Sequence, residues 1–256
     1  MSKGNVLVLV EGAQQDKKLM ERLLATYEIH VGHRIVTYNT NIYALYDATF
    51  RNRGGSGVVD VALHLREKEP DPKKKELLSE RYSRILMVFD FDPQSTHFSE
   101  KSIMELTEYF SDAIGVGQLY LNYPMIEAFF HVKHIPDPDY NEYSASLIEL
   151  KSKRNNYKAR VNNESCISDR GAFFCNRVAV SALIRQNLEK AWLMVFGEIP
   201  KDQNPPSQAA ILRKQLCKLK TEGCVDVLCA CCWYIWEYNP SLLSTDQGEN
   251  HGCKRC

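Results

Sequence analysis

Five consecutive apolar residues, Val6-Leu7-Val8-Leu9-Val10, end abruptly at Glu11-Gly12. A run this short, apolar at every position and rich in valine, is a strand buried on both faces. Such strands belong to parallel sheets covered by helices. A second run of the same kind, Ile85-Leu86-Met87-Val88-Phe89, ends at Asp90-Phe91-Asp92-Pro93. Between them the spacing of Leu19, Met20, Leu23 and Leu24 predicts an amphipathic helix over 16–27. A strand over 29–38 follows, then helices over 43–50 and 56–66. A charged, proline-bearing surface loop over 67–75 and a short helix up to Tyr82 complete the interval. Beyond the second run come a helix over 102–113 and a short strand over 118–121, ending at Asn122. Strand and helix alternate, which predicts an α/β fold with a parallel-rich sheet and helices on both faces. The handedness of the crossovers places the C-terminal strand ends on one edge, and ligands of open α/β sheets bind there.

The pattern changes near residue 125. Helices are predicted over 125–134, 143–150, 177–196, 208–219 and 224–237, with loops at 136–139 and 200–206 and a polar tail over 244–256. The expected organisation is an α/β domain over 1–135 and a mostly helical region over 136–256. No internal repeat is visible.

Lys plus Arg and Asp plus Glu both number 32, so the chain has no global attraction for nucleic acid. Contact with DNA or RNA would need a local basic patch, a metal or a partner. Hydrophobic residues at 44% and charged residues at 25% argue against a mainly disordered chain. The run over 6–11 is too short for a signal-peptide core. No stretch approaches the roughly 18–20 apolar residues that span a bilayer. A soluble, cytoplasmic protein is expected. Nine cysteines, an odd number with Cys229, Cys231 and Cys232 clustered, suit reduced thiols better than a disulfide framework.

The acidic residues at the two strand ends carry the chemistry. Gly12 permits a tight turn and close approach of a ligand after Glu11. Asp90 and Asp92, two apart in a strand, point to one face and repel each other. A cation between them relieves that repulsion, and hard carboxylate oxygens suit Mg2+ or Mn2+. Acidic residues at strand ends also serve as caps and turn formers, and Asp92 before Pro93 fits that use as well.

Val8-Leu9-Val10-Glu11-Gly12, followed after about eighty residues by Val88-Phe89-Asp90-Phe91-Asp92, resembles the Toprim signature. That fold is shared by topoisomerases, primases, OLD-family nucleases and small bacterial defence nucleases. The resemblance covers roughly residues 4–135. It implies that Glu11, Asp90 and Asp92 hold the metal, with Glu11 acting as ligand or general base. A further acidic residue is expected soon after the Glu-Gly pair, and Asp16 stands there, at a spacing that is not the commonest. Asn122-Tyr123-Pro124-Met125-Ile126-Glu127-Ala128-Phe129-Phe130-His131 resembles a segment of small Toprim proteins of the RloB and AriB-like type. It implies an active-site role for Glu127, although an acid in the first turn of a helix also complements the helix dipole. His131, one turn later, reads as a satisfied structural histidine.

The resemblance implies a metal-dependent endonuclease cleaving DNA or RNA, transfer RNA included. It would act as a toxic effector of anti-phage abortive infection, controlled by an ABC-type ATPase partner. No Walker A motif is present, so ATP chemistry would come from that partner. No tyrosine stands out as a nucleophile among thirteen, and no primase-type module accompanies the motif, which favours hydrolysis. Two other readings are a Toprim-fold regulatory or binding subunit without nuclease activity, and an enzyme acting on small phosphate esters. Lys151, Lys153, Arg154, Lys158 and Arg160, interleaved with Asn155, Asn156 and Tyr157, form a candidate phosphate-binding patch or a solvated face. Lys73-Lys74-Lys75 reads as solvated. A zinc site drawn from Cys229, Cys231, Cys232, His251, Cys253 and Cys256 lacks two well-spaced ligand pairs. Cys229, Cys231 and Cys232 read instead as small apolar residues of a packed helix. The apolar C-terminal helices suit a homodimer.

Overall fold

The structure, a computed structural model, describes residues 5–51, 61–154 and 156–243. β1 (Val6–Val10) is buried along its whole length because it lies inside the sheet, with a parallel neighbour on each side. α1 (Gln15–Thr26) buries Leu19, Met20, Leu23 and Leu24, the stripe its spacing predicts. It leads to β2 (His33–Thr37), which pairs with β1. α2 (Ile42–Tyr46) starts where the Asn41 side chain accepts the Tyr43 and Ala44 amides, and a π-helical turn over Asp47–Arg51 continues it. α3 (Val61–Lys68) and α4 (Pro72–Leu77) follow; Asp71 caps α4, and Pro72 fits its first turn.

β3 (Arg84–Asp90) then returns to the other side of β1. α5 (Glu100–Tyr109) and the two-residue β4 (Ser111–Asp112) lead to β5 (Gly117–Tyr123), parallel to β3. The order is β2-β1-β3-β5-β4, parallel except for β4. From β1 the chain first moves outward to β2 and then crosses to β3. The switch point of the topology therefore lies between the C-terminal ends of β1 and β3.

After β5, Ile126–Phe130 is a 3-10 turn rather than the longer helix expected over 125–134; Pro124 and Pro136 bound the segment. The segment read as a helix over 143–150 divides into β6 (Ser144–Ser146) and α6 (Leu147–Lys151), with Ser146 capping the helix. α7 (Tyr157–Glu164), α8 (Arg177–Phe196) and α9 (Gln208–Glu222) are next. Gly197 and Gly223 end α8 and α9 at positive φ, a conformation that costs glycine little.

The helix expected over 224–237 is corrected. Cys224–Asp226 is β7, antiparallel to β6. Leu228–Cys229 is β8, antiparallel to Asn122 and Tyr123 of β5. A 3-10 turn over Cys231–Trp233 precedes α10 (Tyr234–Tyr238). Long-range strand pairing overrides a short apolar run that has no clear period of its own. Through β8, residues beyond 135 add a strand to the N-terminal sheet, and one cluster of buried side chains runs from Val6 to Leu243. Among the described residues, no helix is long and apolar enough to cross a membrane.

Candidate metal centre

The ends of β1 and β3 are clasped through Glu11. Its amide donates to Val88 O at 3.0 Å, and its Oε2 accepts the Asp90 amide at 3.1 Å. The carboxylate is thus drawn across the switch point. Asp90 is the last residue of β3; Phe91 turns its ring into the core, and Asp92 follows. Asp92 has φ +43°, the left-handed region that non-glycine residues avoid at a cost of about 1 kcal/mol or more. Its amide donates to Pro124 O at 3.3 Å and its Oδ1 accepts Gln94 Nε2 at 2.9 Å, so both ends of the residue are tethered.

Two further carboxylates join this edge. Asp16 lies in the first turn of α1 and is buried. Glu127 is buried in the 3-10 turn after β5. Lys158, the second residue of α7, brings its Nζ to 3.2 Å from Glu127 Oε1 while remaining half exposed. α7 is held there by Tyr157, fully buried, whose hydroxyl meets His131 Nδ1 at 3.1 Å.

The electrostatics follow from this crowding. Burial, then the charges of Asp92 and Asp16, push the Glu11 carboxyl up to about 8, against the Asp90 amide and Lys158, which pull it down. Burial pushes Asp16 up to about 6, with Glu127 and Asp92 adding to the shift. Asp90 rises well above its ordinary value, first by burial and then by the charges of Asp16, Glu11, Asp92 and Glu127. Asp92 is also raised by burial, with Gln94 and Lys158 opposing. Burial pulls the Lys158 ammonium down, but Glu127, Asp90 and Asp92 more than reverse it, so the lysine stays charged.

Magnesium or manganese fits this donor set by its chemistry. Asp16 Oδ1, Asp90 Oδ1 and Glu127 Oε2 are buried and accept no hydrogen bond. Buried carboxylate oxygens without donors are costly, and a hard divalent cation would satisfy them and cancel their repulsion. Among the described residues, no three His, Cys, Asp or Glu side chains are already gathered as a ligand shell. The ion would therefore have to draw the carboxylates together.

Gly12 matters for Asp16. A Cβ on residue 12 would lie 2.6 Å from Asp16 Oδ2, so Gly12→Ala must push that carboxylate aside. Only a rotatable side chain moves, so the melting temperature is expected to change by less than about 3 °C. Mn2+ affinity, measured by titration calorimetry, is expected to fall roughly tenfold or more, as when the support of a ligand is lost. Unchanged affinity would remove Asp16 from the site.

Glu11, Asp92, Glu127 and Asp16 thus all lie close enough to Asp90 to raise its carboxyl, short of a gathered ligand shell. The basic residues do not stay together. Lys158 reaches the carboxylates. Arg160 is tied to Glu149 at 3.1 Å and to Ser144 O at 2.6 Å. Lys151, Lys153 and Arg154 are exposed around the end of α6. His131 is buried, with Tyr157 on one ring nitrogen and Glu164 on the other at 3.2 Å. Burial lowers its pKa to about 4, leaving it neutral. Cys229, Cys231 and Cys232 are core residues, while His251, Cys253 and Cys256 lie outside the described residues.

Sequence reasoning missed Asn122, which lies in register with Asp90, accepts the Cys231 amide at 3.3 Å and leaves its buried Nδ2 without a partner. A polar residue inside the apolar run Leu119-Tyr120-Leu121-Asn122-Tyr123 was the available signal. Comparison with protein-family models, curated proteins and solved structures found no match.

Proposed function

We propose that the chain is a magnesium- or manganese-dependent nuclease of the Toprim type, hydrolysing a phosphodiester of DNA or RNA. One observation carries this reading: Glu11, Asp16, Asp90, Asp92 and Glu127 meet one half-exposed lysine, Lys158, at the switch point of a mostly parallel sheet. Glu11, Asp90 and Asp92 would hold the ion, with Asp16 and Glu127 beside it. A bound divalent cation would polarise the phosphoryl oxygens and acidify water.

The chain's own groups supply the rest. Lys158 keeps its charge among the carboxylates and is exposed enough to meet a phosphate oxygen. The Glu11 Oε2 is fixed by the Asp90 amide, which leaves Oε1 to take up a proton. The value of about 8 belongs to the metal-free carboxyl, and a cation beside it would make that oxygen give up its proton more readily. The balanced net charge gives no general hold on a polymer. That favours delivery or gating by a partner, as in defence systems with an ABC-type ATPase, and a toxic role inside the cytoplasm.

The test is incubation of the purified chain with supercoiled plasmid, single-stranded DNA and total RNA, with Mg2+, Mn2+ or EDTA. Metal-dependent cleavage of at least one polymer, lost in Glu11→Ala, is expected. Cleavage that survives Glu11→Ala would sink the reading. Polymer binding without cleavage would favour a regulatory subunit, and turnover of free nucleotides alone would favour an enzyme of small phosphate esters.

A further inference from the structure

At the C-terminal end of β2, the strand next to the one that ends in Glu11, lies a cavity of about 610 Å3. Its floor is the segment that follows β2. The Tyr38 amide donates to Val10 O at 2.7 Å and the Asn39 amide to Glu11 O at 3.0 Å. Asn39, which lines the cavity, turns the chain there at φ +59°. α2 contributes Ala44, the π-helical turn contributes Asp47, and α3 contributes His64 and Lys68. Lys74 also lines the cavity, and its ammonium donates to Thr37 Oγ1 at 3.2 Å and lies 4.0 Å from Glu69.

We propose that this cavity is a nucleotide subsite, receiving one nucleoside and its phosphate next to the bond held at the carboxylates. The assignment rests on the nuclease reading and extends it. A phosphodiester at Glu11 carries a nucleoside on each side. The cavity reaches Glu11 through Asn39, which lines it and whose amide donates to Glu11 O. Its volume lies in the roughly 300–1,000 Å3 range of small-molecule sites. Its lining is mixed in the way a nucleoside requires. Asn39 offers an amide to base edges and ribose hydroxyls. Ala44 and Leu65 offer apolar surface to the base. Lys68 and Lys74 offer positive charge to phosphate. The two acids in the lining, Asp47 and Glu69, offset the two lysines, which disfavours a site for phosphate alone.

The test uses the full chain without divalent metal. The four ribonucleoside and four deoxyribonucleoside 5′-monophosphates, and inorganic phosphate, are titrated while backbone amide shifts are followed. At least one nucleotide is expected to saturate with a Kd of about 1 mM or below. Its shifts should centre on Asn39, Ala44 and Lys68, and inorganic phosphate should bind at least tenfold more weakly. Ala44→Trp, which fills the cavity, and Lys68→Ala, an exposed position, should each weaken binding tenfold or more. Four results would overturn the proposal: no saturation by any nucleotide, phosphate binding as tightly as nucleotide, shifts centred on Lys158 and the carboxylates, or full affinity in both variants. Because the readout needs neither metal nor turnover, the subsite can stand where no polymer is cleaved. It can equally fail where cleavage is observed.

Discussion

Asp90→Asn is expected to reduce metal-dependent cleavage by on the order of 10^3-fold while making the metal-free protein more stable. Loss of a single preorganised electrostatic group costs about 10^2–10^3 in rate, and a carboxylate at the centre of the site lies at the upper end. The gain in stability has a separate cause. Asp90 is the carboxylate on which four others act, and burial already disfavours its charge. Its Oδ1 accepts no hydrogen bond, so an amide in its place removes repulsion without breaking a side-chain contact. Thermal denaturation at about pH 8 with EDTA should show a rise of roughly 2–6 °C, the equivalent of about 1–2 kcal/mol in a chain this long. Activity lost together with stability would mean that Asp90 holds the fold rather than the ion. Activity retained would mean that it does neither job proposed for it.

The second large effect is a stability that depends jointly on pH and metal. Burial, first, and neighbouring charges raise Glu11 from 4.5 to about 8 and Asp16 from 3.8 to about 6. The folded chain therefore keeps protons that the unfolded chain has released. Their contribution is present in full below the unfolded values near 4 and declines as pH rises toward 8. Two other groups act in the opposite direction. His131, lowered to about 4 by burial, adds stability as pH rises from about 4 to 6.5. Lys190 is lowered to about 7 by burial and adds stability only above that pH.

Comparing melting temperatures with and without Mn2+ at each pH cancels the contributions of His131 and Lys190. At a concentration a hundredfold above Kd, the ion contributes about 2.7 kcal/mol, a rise of roughly 5–10 °C at about pH 7.5. At about pH 5, where Glu11 and Asp16 hold their protons, the rise should be under about 2 °C. Equal shifts at both pH values would place Mn2+ somewhere other than this cluster.

The parts of this site that were legible in the sequence share one property: the chain announces them locally. β1 and β3 are central in a parallel sheet, so Val6–Val10 and 85–89 are apolar at every position, and the first acid ends each run sharply. Those two run ends are enough to put Glu11, Asp90 and Asp92 on one edge. Asp16 was harder to place, because whether a first-turn acid faces the sheet edge depends on how tightly the chain turns at Gly12. Lys158 could not be separated from Lys151, Lys153, Arg154 and Arg160 by spacing. Its place is set by the long-range contact of Tyr157 with His131 and by its own pairing with Glu127. The error over 224–237 has the same root. β7 and β8 are three and two residues long, and their partners lie at 144–146 and 122–123. Nothing within the run reveals such partners, and its valines, cysteines and tryptophans suit a buried helix as well as a buried strand.

The central claim, that these carboxylates form a divalent-cation site, is tested most directly by calorimetric titration of Mn2+ into the wild-type chain and Asp90→Asn near pH 7, in buffers of different ionisation enthalpy. Raised carboxyls must lose protons as the ion enters, so the wild-type heat should depend on the buffer, with net proton release, and Asp90→Asn should bind at least about tenfold more weakly. Absence of Mn2+ binding by the wild type, or equal affinity and equal proton release in the two proteins, would contradict the account.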